Sequence, residues 1–406
     1  MIPFSPPHID QVVIDEVIAT LKSGWITTGP RTKQFEKNIA AYVGAEKVLC
    51  LNSATAGLEL MLRWFGVKEG DEVIVPAYTY SATANVIIHC GATPVFVDVN
   101  ADDFNMNMDL LANKITANTK VIMPVDMGGW PCDYKKLMAL VNSAEIKSLF
   151  KSNGEIQKTL GRIFILSDAA HSLGATLGTT KTGMLADATV FSFHAVKNLT
   201  TAEGGAVCLN LPSPFVNEII YASLNIKALH GQNKDALAKT KKGNWEYDIV
   251  EAGYKWNMPD LLAAIGLVEL NRYESEILPA RKIIMEQYAK AFSEKEWAQC
   301  PPIETAEKKS SNHLYLLRIK NISEQQRNAI IQKIFDQDVS VNVHFKPLPL
   351  LSFYSALGFK MDDYPVSYDN YAREISLPVY VGLTFEQVNE VVNAVSTAVE
   401  SVINSA

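Results

Sequence analysis

The chain has 406 residues, 48% of them hydrophobic and 20% charged, and a formal net charge of −7. That length exceeds one compact domain, and the acidic balance argues against nucleic acid or an anionic membrane as the main partner. Met1-Ile-Pro-Phe-Ser-Pro-Pro7 has no signal-peptide regions, the apolar runs fall short of the roughly 18 residues of a span, and five scattered cysteines without a CxxC pair support neither disulfides nor a metal site, so a reducing, cytoplasmic setting is expected.

In chain order, Val12, Val13, Val17, Ile18 and Leu21 follow helical spacing, and Gly24 stops them. A turn-rich loop, Gly24 to Pro30, precedes a second predicted helix over 32–43 with Phe35, Ile39 and Tyr42 on one face. A strand–helix alternation then begins. Predicted strands cover 47–51, 71–76, 93–98, 120–125, 162–166 and 188–192, and predicted helices cover 58–65, 82–90 and a stretch from Asp133. Strands interleaved with helices at this interval imply an α/β fold with a mostly parallel, doubly wound sheet. Residues 142–161 are polar and expected as a surface insertion; residues 230–244 are basic and expected as a mobile loop. From about residue 270 the texture changes. A helix over 277–292, strands over 314–319 and 339–344, and an amphipathic helix over 384–403 with Val388, Val391, Val392, Val395 and Val399 on one face suggest a smaller α+β unit. The expected division is a large domain over 1–270 and a small one over 271–406.

The chemistry centres on Lys197, in Phe191-Ser-Phe-His-Ala-Val-Lys197, between an apolar strand and a Gly-Gly turn. That is a poor place for a solvated charge and a good one for an imine-forming amine, because desolvation frees the lone pair. Asp168 ends an apolar strand, where ligands bind in open α/β sheets and where a carboxylate can hold a pyridinium nitrogen. Together the two suggest pyridoxal phosphate (PLP). Asn52-Ser-Ala-Thr55, between a strand and a helix, fits a phosphate at a helix N-terminus as well as a simple cap. Tyr80 lies just past a strand end, where it can stack on a flat cofactor or pack in the core. His171, Ser192 and His194 each have a local structural reading when taken alone. Their order along the chain is more specific than any one of them.

These motifs resemble the PLP-dependent sugar aminotransferases of the DegT/DnrJ/StrS family. The resemblance runs through Gly24-Trp-Ile-Thr-Thr-Gly-Pro30, Asn52 to Thr55, Pro76 to Ala84, Asp168-Ala-Ala-His-Ser-Leu-Gly-Ala175, Phe191 to Lys197, Gly253 to Asp260, His344-Phe-Lys-Pro347 and Ser376 to Tyr380. It implies an aspartate-aminotransferase-like fold (PLP fold type I), with Lys197 as the imine-forming lysine and proton carrier. It also implies that Asp168 faces the pyridine nitrogen, His171 lies near the ring, Tyr80 stacks on it, and Ala54, Thr55 and Ser192 hold the phosphate. Asn257 is similar to an asparagine that reaches the phosphate from a neighbouring subunit, so a homodimer with shared sites is implied. Thr27, Thr28 and His344 match segments facing a nucleotide-sugar substrate, with L-glutamate as the amino donor. Relatives that dehydrate the sugar carry histidine where this chain has Lys197, so transamination is favoured. A 4-keto-6-deoxyhexose on UDP or dTDP is the expected acceptor, with a 3-keto sugar, an inositol-type ketone or a non-catalytic regulator as other readings. Arg31, Lys239 to Lys242 and Lys346 are candidates to meet the nucleotide's charge. The chain departs from its relatives at Asp126 and Met127, which are expected to alter the polarity of the sugar pocket.

Overall fold

The computed structural model describes residues 1–234 and 246–404. Seven strands form the central sheet: β1 (Lys47–Leu51), β2 (Glu72–Pro76), β3 (Thr93–Val97), β4 (Thr119–Ile122), β5 (Phe164–Asp168), β6 (Ala188–Ser192) and β7 (Gly205–Leu209). Their spatial order is β1-β7-β6-β5-β4-β2-β3. The pairs from β6 through β3 are parallel, and β7 alone runs against both its neighbours. Helices cover both faces, so these strands read as continuous apolar runs instead of alternating ones.

On one face the helix Ala54–Trp64, capped by Ser53, packs Leu58, Leu62 and Phe65 with Val73, Phe164 and Val207. On the other, Phe35 and Ile39 of the helix Pro30–Val43 meet Phe191, Ala263 and Tyr273. The sequence reading has only a Gly-Gly turn where β7 begins. A Cβ at Gly205 would lie 2.4 Å from the Ala54 nitrogen, so glycine is needed for this strand to pass beneath the helix start.

A second, antiparallel sheet, Ala298–Gln299, Tyr315–Ile319 and Glu374–Leu377, lies under the helices Leu278–Phe292, Glu324–Phe335 and Phe385–Ile403. Its core contains Tyr288, Phe292, Leu317, Ile330, Val391 and Val395. The first residues of the chain join this unit: Ile2 donates to the Asp338 carbonyl at 2.7 Å and accepts from Ser340 at 3.0 Å.

Two expectations are corrected. Residues 339–344 form no strand; Val339 and Asn342 make single bridges, to Ile2 and Ser376, so the alternating valines there line an irregular segment. Residues 142–161 are more than a surface insertion. They form the helices Ala144–Leu149 and Glu155–Leu160, with Ile146 buried and the buried Gln157 amide donating to the Phe65 carbonyl at 3.1 Å. Composition hid this, because a polar side chain can be buried once its hydrogen bonds are met. Of the expected 230–244 loop, residues 235–244 lie outside the described residues. Among the described residues no helix is long and apolar enough to cross a membrane.

Arg162 and Asp187 tie the start of β5 to the start of β6. The guanidinium meets both carboxylate oxygens at 2.7 Å, and Asp187 also accepts from the Ile165 N–H at 2.9 Å. Both side chains are buried. Arg162→Met strands the carboxylate and is expected to destabilise the protein by about 3–5 kcal/mol, whereas adding Asp187→Leu recovers most of the loss. Urea unfolding of the two variants checks this.

Candidate active site

The parallel strands all point their C-terminal ends at one crevice, and the antiparallel β7 starts there. A cavity of about 350 Å³ opens at this edge. It is built from the chain just after β1 (Ala54, Thr55), after β2 (Tyr80), at the end of β5 (Asp168, His171) and at the end of β6 (Ser192, Lys197). His344, from the second unit, completes the far wall. Eight of the residues singled out from the sequence therefore share one space.

Asp168 is buried, and its carboxylate accepts from the Thr83 hydroxyl at 2.8 Å and the Ala170 N–H at 3.2 Å. Burial pushes its carboxyl upward, while these donors and the nearby Lys197 pull it back. A buried carboxylate in this position is best answered by a cationic ring nitrogen. Burial lowers the Lys197 ammonium to about 8, partly opposed by Asp168. A larger share of this lysine than of an exposed one is thus neutral, and nucleophilic, near physiological pH. His171 accepts the Gly128 N–H at Nδ1, 3.3 Å away, which leaves its proton on Nε2. Burial keeps that imidazole well below its ordinary range.

At the other end, Ala54 and Thr55 open the helix Ala54–Trp64, and the N–H groups of a first turn have no helical acceptor. With Ser192 beside them, they make an anion cradle at a helix N-terminus. The Ser192 oxygen accepts the His194 N–H at 3.4 Å, so its own hydrogen remains to be donated. Carboxylate, amine, flat aromatic and anion cradle match the parts of PLP: ring nitrogen, aldehyde, ring and phosphate.

Other residues fall elsewhere. Thr27 is exposed, and Thr28 is buried, donating to the Met258 carbonyl at 2.5 Å; neither lines the cavity. Asn257 donates to the Thr28 hydroxyl at 2.6 Å and is likewise outside the cavity of its own chain, with its Oδ1 buried and without a partner among the described residues. Asp126 does not polarise the pocket: it is fully buried and bonded to Ser172, Cys132 and Tyr134, while Met127 packs with Tyr78 and Phe104. That departure is structural, because the chain turns both side chains away from the cavity. Arg31 is paired with Glu16 at 2.7 Å, and Lys239 to Lys242 lie outside the described residues. Sequence reasoning missed Thr83, His313 and Phe345 in the cavity wall. Thr83 and Phe345, each inside a motif already marked, carried a local signal, and His313 carried none.

A mostly parallel α/β sheet with lysine, aspartate and an anion cradle at its C-terminal edge defines an aspartate-aminotransferase-like PLP enzyme. The chain belongs to the DegT/DnrJ/EryC1/StrS aminotransferase family, whose model matches residues 7–396. It is similar to Spr1654 of Streptococcus pneumoniae, solved in PMP, apo and PLP forms; the PMP form has 47% identity, covers 99% of this chain and 100% of that one, and gives a TM-score of 0.95. The spore coat polysaccharide biosynthesis protein SpsC of Bacillus subtilis is 35% identical over 98% of this chain and 97% of its own. The UDP-4-amino-4-deoxy-L-arabinose–oxoglutarate aminotransferase of Shewanella sediminis is 32% identical over 98% of each chain. The protein is a PLP-dependent sugar aminotransferase.

The Lys197 and Asp168 charges set a pH dependence. The rate at which cofactor-free protein takes up PLP is expected to rise through pH 7 and 8 and level off above about 9, as the neutral form of Lys197 saturates. Asp168 raises the lysine's value, so Asp168→Asn moves the profile to lower pH. Stopped-flow absorbance during reconstitution reads both.

Proposed function

We propose that this enzyme transfers the amino group of L-glutamate to a nucleotide-linked 4-keto-6-deoxyhexose, carried on UDP or dTDP, for amino-sugar and polysaccharide synthesis. The observation that carries the reading is the single cavity shared by the Lys197 amine, the Asp168 carboxylate and the His344 imidazole. The name of the Shewanella sediminis relative supports a UDP-linked sugar, a C-4 amine and the glutamate–oxoglutarate couple.

When bound, PLP supplies an electron sink that makes a Cα–H bond of the attached amine acidic. Lys197 Nζ takes the proton from the amino acid Cα and later returns one to the sugar carbon that receives nitrogen. Asp168 holds the ring nitrogen in its protonated form, and the Thr83 hydroxyl holds Asp168 in place. Tyr80 is 61% exposed, packed at one edge on Phe345 with ring centroids 5.6 Å apart, which leaves a face to cover the ring. His171 presents its Nε2–H to an oxygen on the ring or substrate. Lys346, exposed beside the wall residue Phe345, is placed to meet the nucleotide's charge.

The working unit in this reading is a cytoplasmic homodimer. In the same reading Asn257, which does not line its own chain's cavity, serves the phosphate of a second copy.

Purified enzyme is expected to be yellow, absorbing near ~420 nm, and to aminate at least one UDP- or dTDP-4-keto-6-deoxy sugar with glutamate, the product being identified by NMR. A panel in which glutamate reacts and none of the sugars accepts nitrogen would overturn the acceptor assignment. Lys197→Ala should abolish turnover, and Asp168→Asn should lower kcat by about 100–1000-fold, the usual loss for a preorganised charge; steady-state assays with the accepted sugar measure both.

Lys197→Ala and Asn257→Asp homodimers, each inactive, should regain activity when mixed under subunit exchange. Random pairing gives about a quarter of the wild-type sites. No recovery, with exchange verified by mass spectrometry, counts against shared sites.

A further inference from the structure

The segment Ser310 to Leu314, leading into the strand Tyr315–Ile319, is gripped from several sides. Ser311 and Leu314 donate backbone N–H groups to the Gly129 and Gly128 carbonyls, at 3.0 and 3.2 Å. The Ser311 hydroxyl donates to the His171 carbonyl at 2.5 Å. Gly129 has φ +94°, and a Cβ there would fall 2.1 Å from the Ser311 hydroxyl oxygen, so glycine is required for the approach. Among the described residues the buried Arg281 faces no carboxylate: its guanidinium donates to the Asn312 and His313 carbonyls, at 2.9 and 2.7 Å. All of this delivers one side chain, His313, into the cavity wall, its ring centroid 4.4 Å from that of His171.

The neighbours of His313 decide which nitrogen carries its proton. Asn198 turns its amide nitrogen to the Ser311 carbonyl at 2.7 Å, so its oxygen faces His313 Nδ1 at 2.8 Å. That oxygen can only accept, so Nδ1 bears the hydrogen and Nε2 carries a lone pair. Among the described residues Nε2 has no donor, and it is not one of the buried polar atoms sealed without a partner, so it opens on the cavity that the ring lines. Burial, with His171 and Lys197 close by, keeps the imidazole neutral. His171, held the other way round by Gly128, offers N–H where His313 offers a lone pair.

We propose that His313 is a specificity-determining residue for the sugar half of the reaction, accepting at Nε2 a hydrogen bond from a hydroxyl of the keto-sugar, a role that rests on the acceptor reading above. The chemistry separates the two substrates. The carboxylates of an amino-acid donor have no hydrogen to give this lone pair, whereas a sugar hydroxyl does. Removing the acceptor therefore weighs on one half-reaction more than on the other.

Two measurements on the PLP-loaded enzyme test this. In long-range proton–nitrogen spectra of histidine-labelled protein, the resonances missing from His313→Phe identify His313. They should show a neutral ring protonated at Nδ1 at pH 7, and Asn198→Ala should disturb that pattern. In single-turnover kinetics, with glutamate added to the PLP form and the UDP- or dTDP-4-keto-6-deoxy sugar added to the pyridoxamine phosphate form that glutamate leaves, His313→Phe should slow the sugar half by at least tenfold more than the glutamate half. A loss of about tenfold to a hundredfold is expected for a buried acceptor. His313→Gln, which can place an oxygen near the Nε2 position, should recover part of it. Equal losses in both halves, or none in the sugar half, overturn the proposal and leave His313 a wall residue. An Nε2-protonated or cationic ring overturns it whatever the kinetics show. If wild-type enzyme reacts with glutamate and with no sugar in the panel, the acceptor reading fails on that arm, while the spectra still decide the state of His313.

Discussion

A carboxylate buried at the end of a strand is unstable without a cation, and an amine buried beside it is unstable while charged. Asp168 and Lys197 place both problems in one cavity, and each moderates the other: burial drives the carboxyl up and the ammonium down, and their mutual attraction opposes both shifts. Thr83 and the Ala170 N–H answer the carboxylate in part. A cofactor with a cationic ring nitrogen and an aldehyde relieves the two at once. The site is thus electrostatically prepared for PLP, and the same preparation leaves Lys197 able to accept and return a proton near neutral pH.

Holding those groups together is the work of the sheet edge. Strand C-termini converge, and Gly205 lets an antiparallel strand pass close beneath the helix start at Ala54. The second unit then reaches across. His344 enters from its irregular 339–344 segment, and the Ser310–Leu314 segment is clamped onto Gly128, Gly129 and Asn198. Arg281 is buried with no carboxylate among the described residues facing its guanidinium, and burial lowers it to about 10; main-chain carbonyls answer its charge. The cavity wall therefore depends on both units being docked, and the fixed tautomer of His313 follows from that docking.

Much of the site was legible from local pattern. Lys197 in an apolar setting, Asp168 at a strand end and small residues at a helix start each state a chemistry through their immediate neighbours. The same kind of reading could not see His313, because nothing near Ser310-Ser-Asn-His313 marks a site; its meaning comes from Asn198 and His171, far away in the chain. It also misjudged Asp126, whose carboxylate serves Cys132, Tyr134 and Ser172 inside the large unit, and Gln157, whose burial depends on a carbonyl in another helix. β7 was hidden because glycine signals a turn locally, while here it serves close packing.

By itself the amino-acid sequence determined the alternation of strands and helices, the α/β class and the residues able to form an imine, hold a ring nitrogen and cap a phosphate. These follow from neighbours one to four positions apart, where propensity and periodicity operate. Only the tertiary structure decided that β7 runs antiparallel, that Asp126 turns away from the cavity, that Thr28 and Asn257 lie together outside it, and that His313 enters it with its proton on Nδ1. Burial, close approach and the choice of hydrogen-bond partner are set by groups distant in sequence, so these outcomes exist only once the chain has folded.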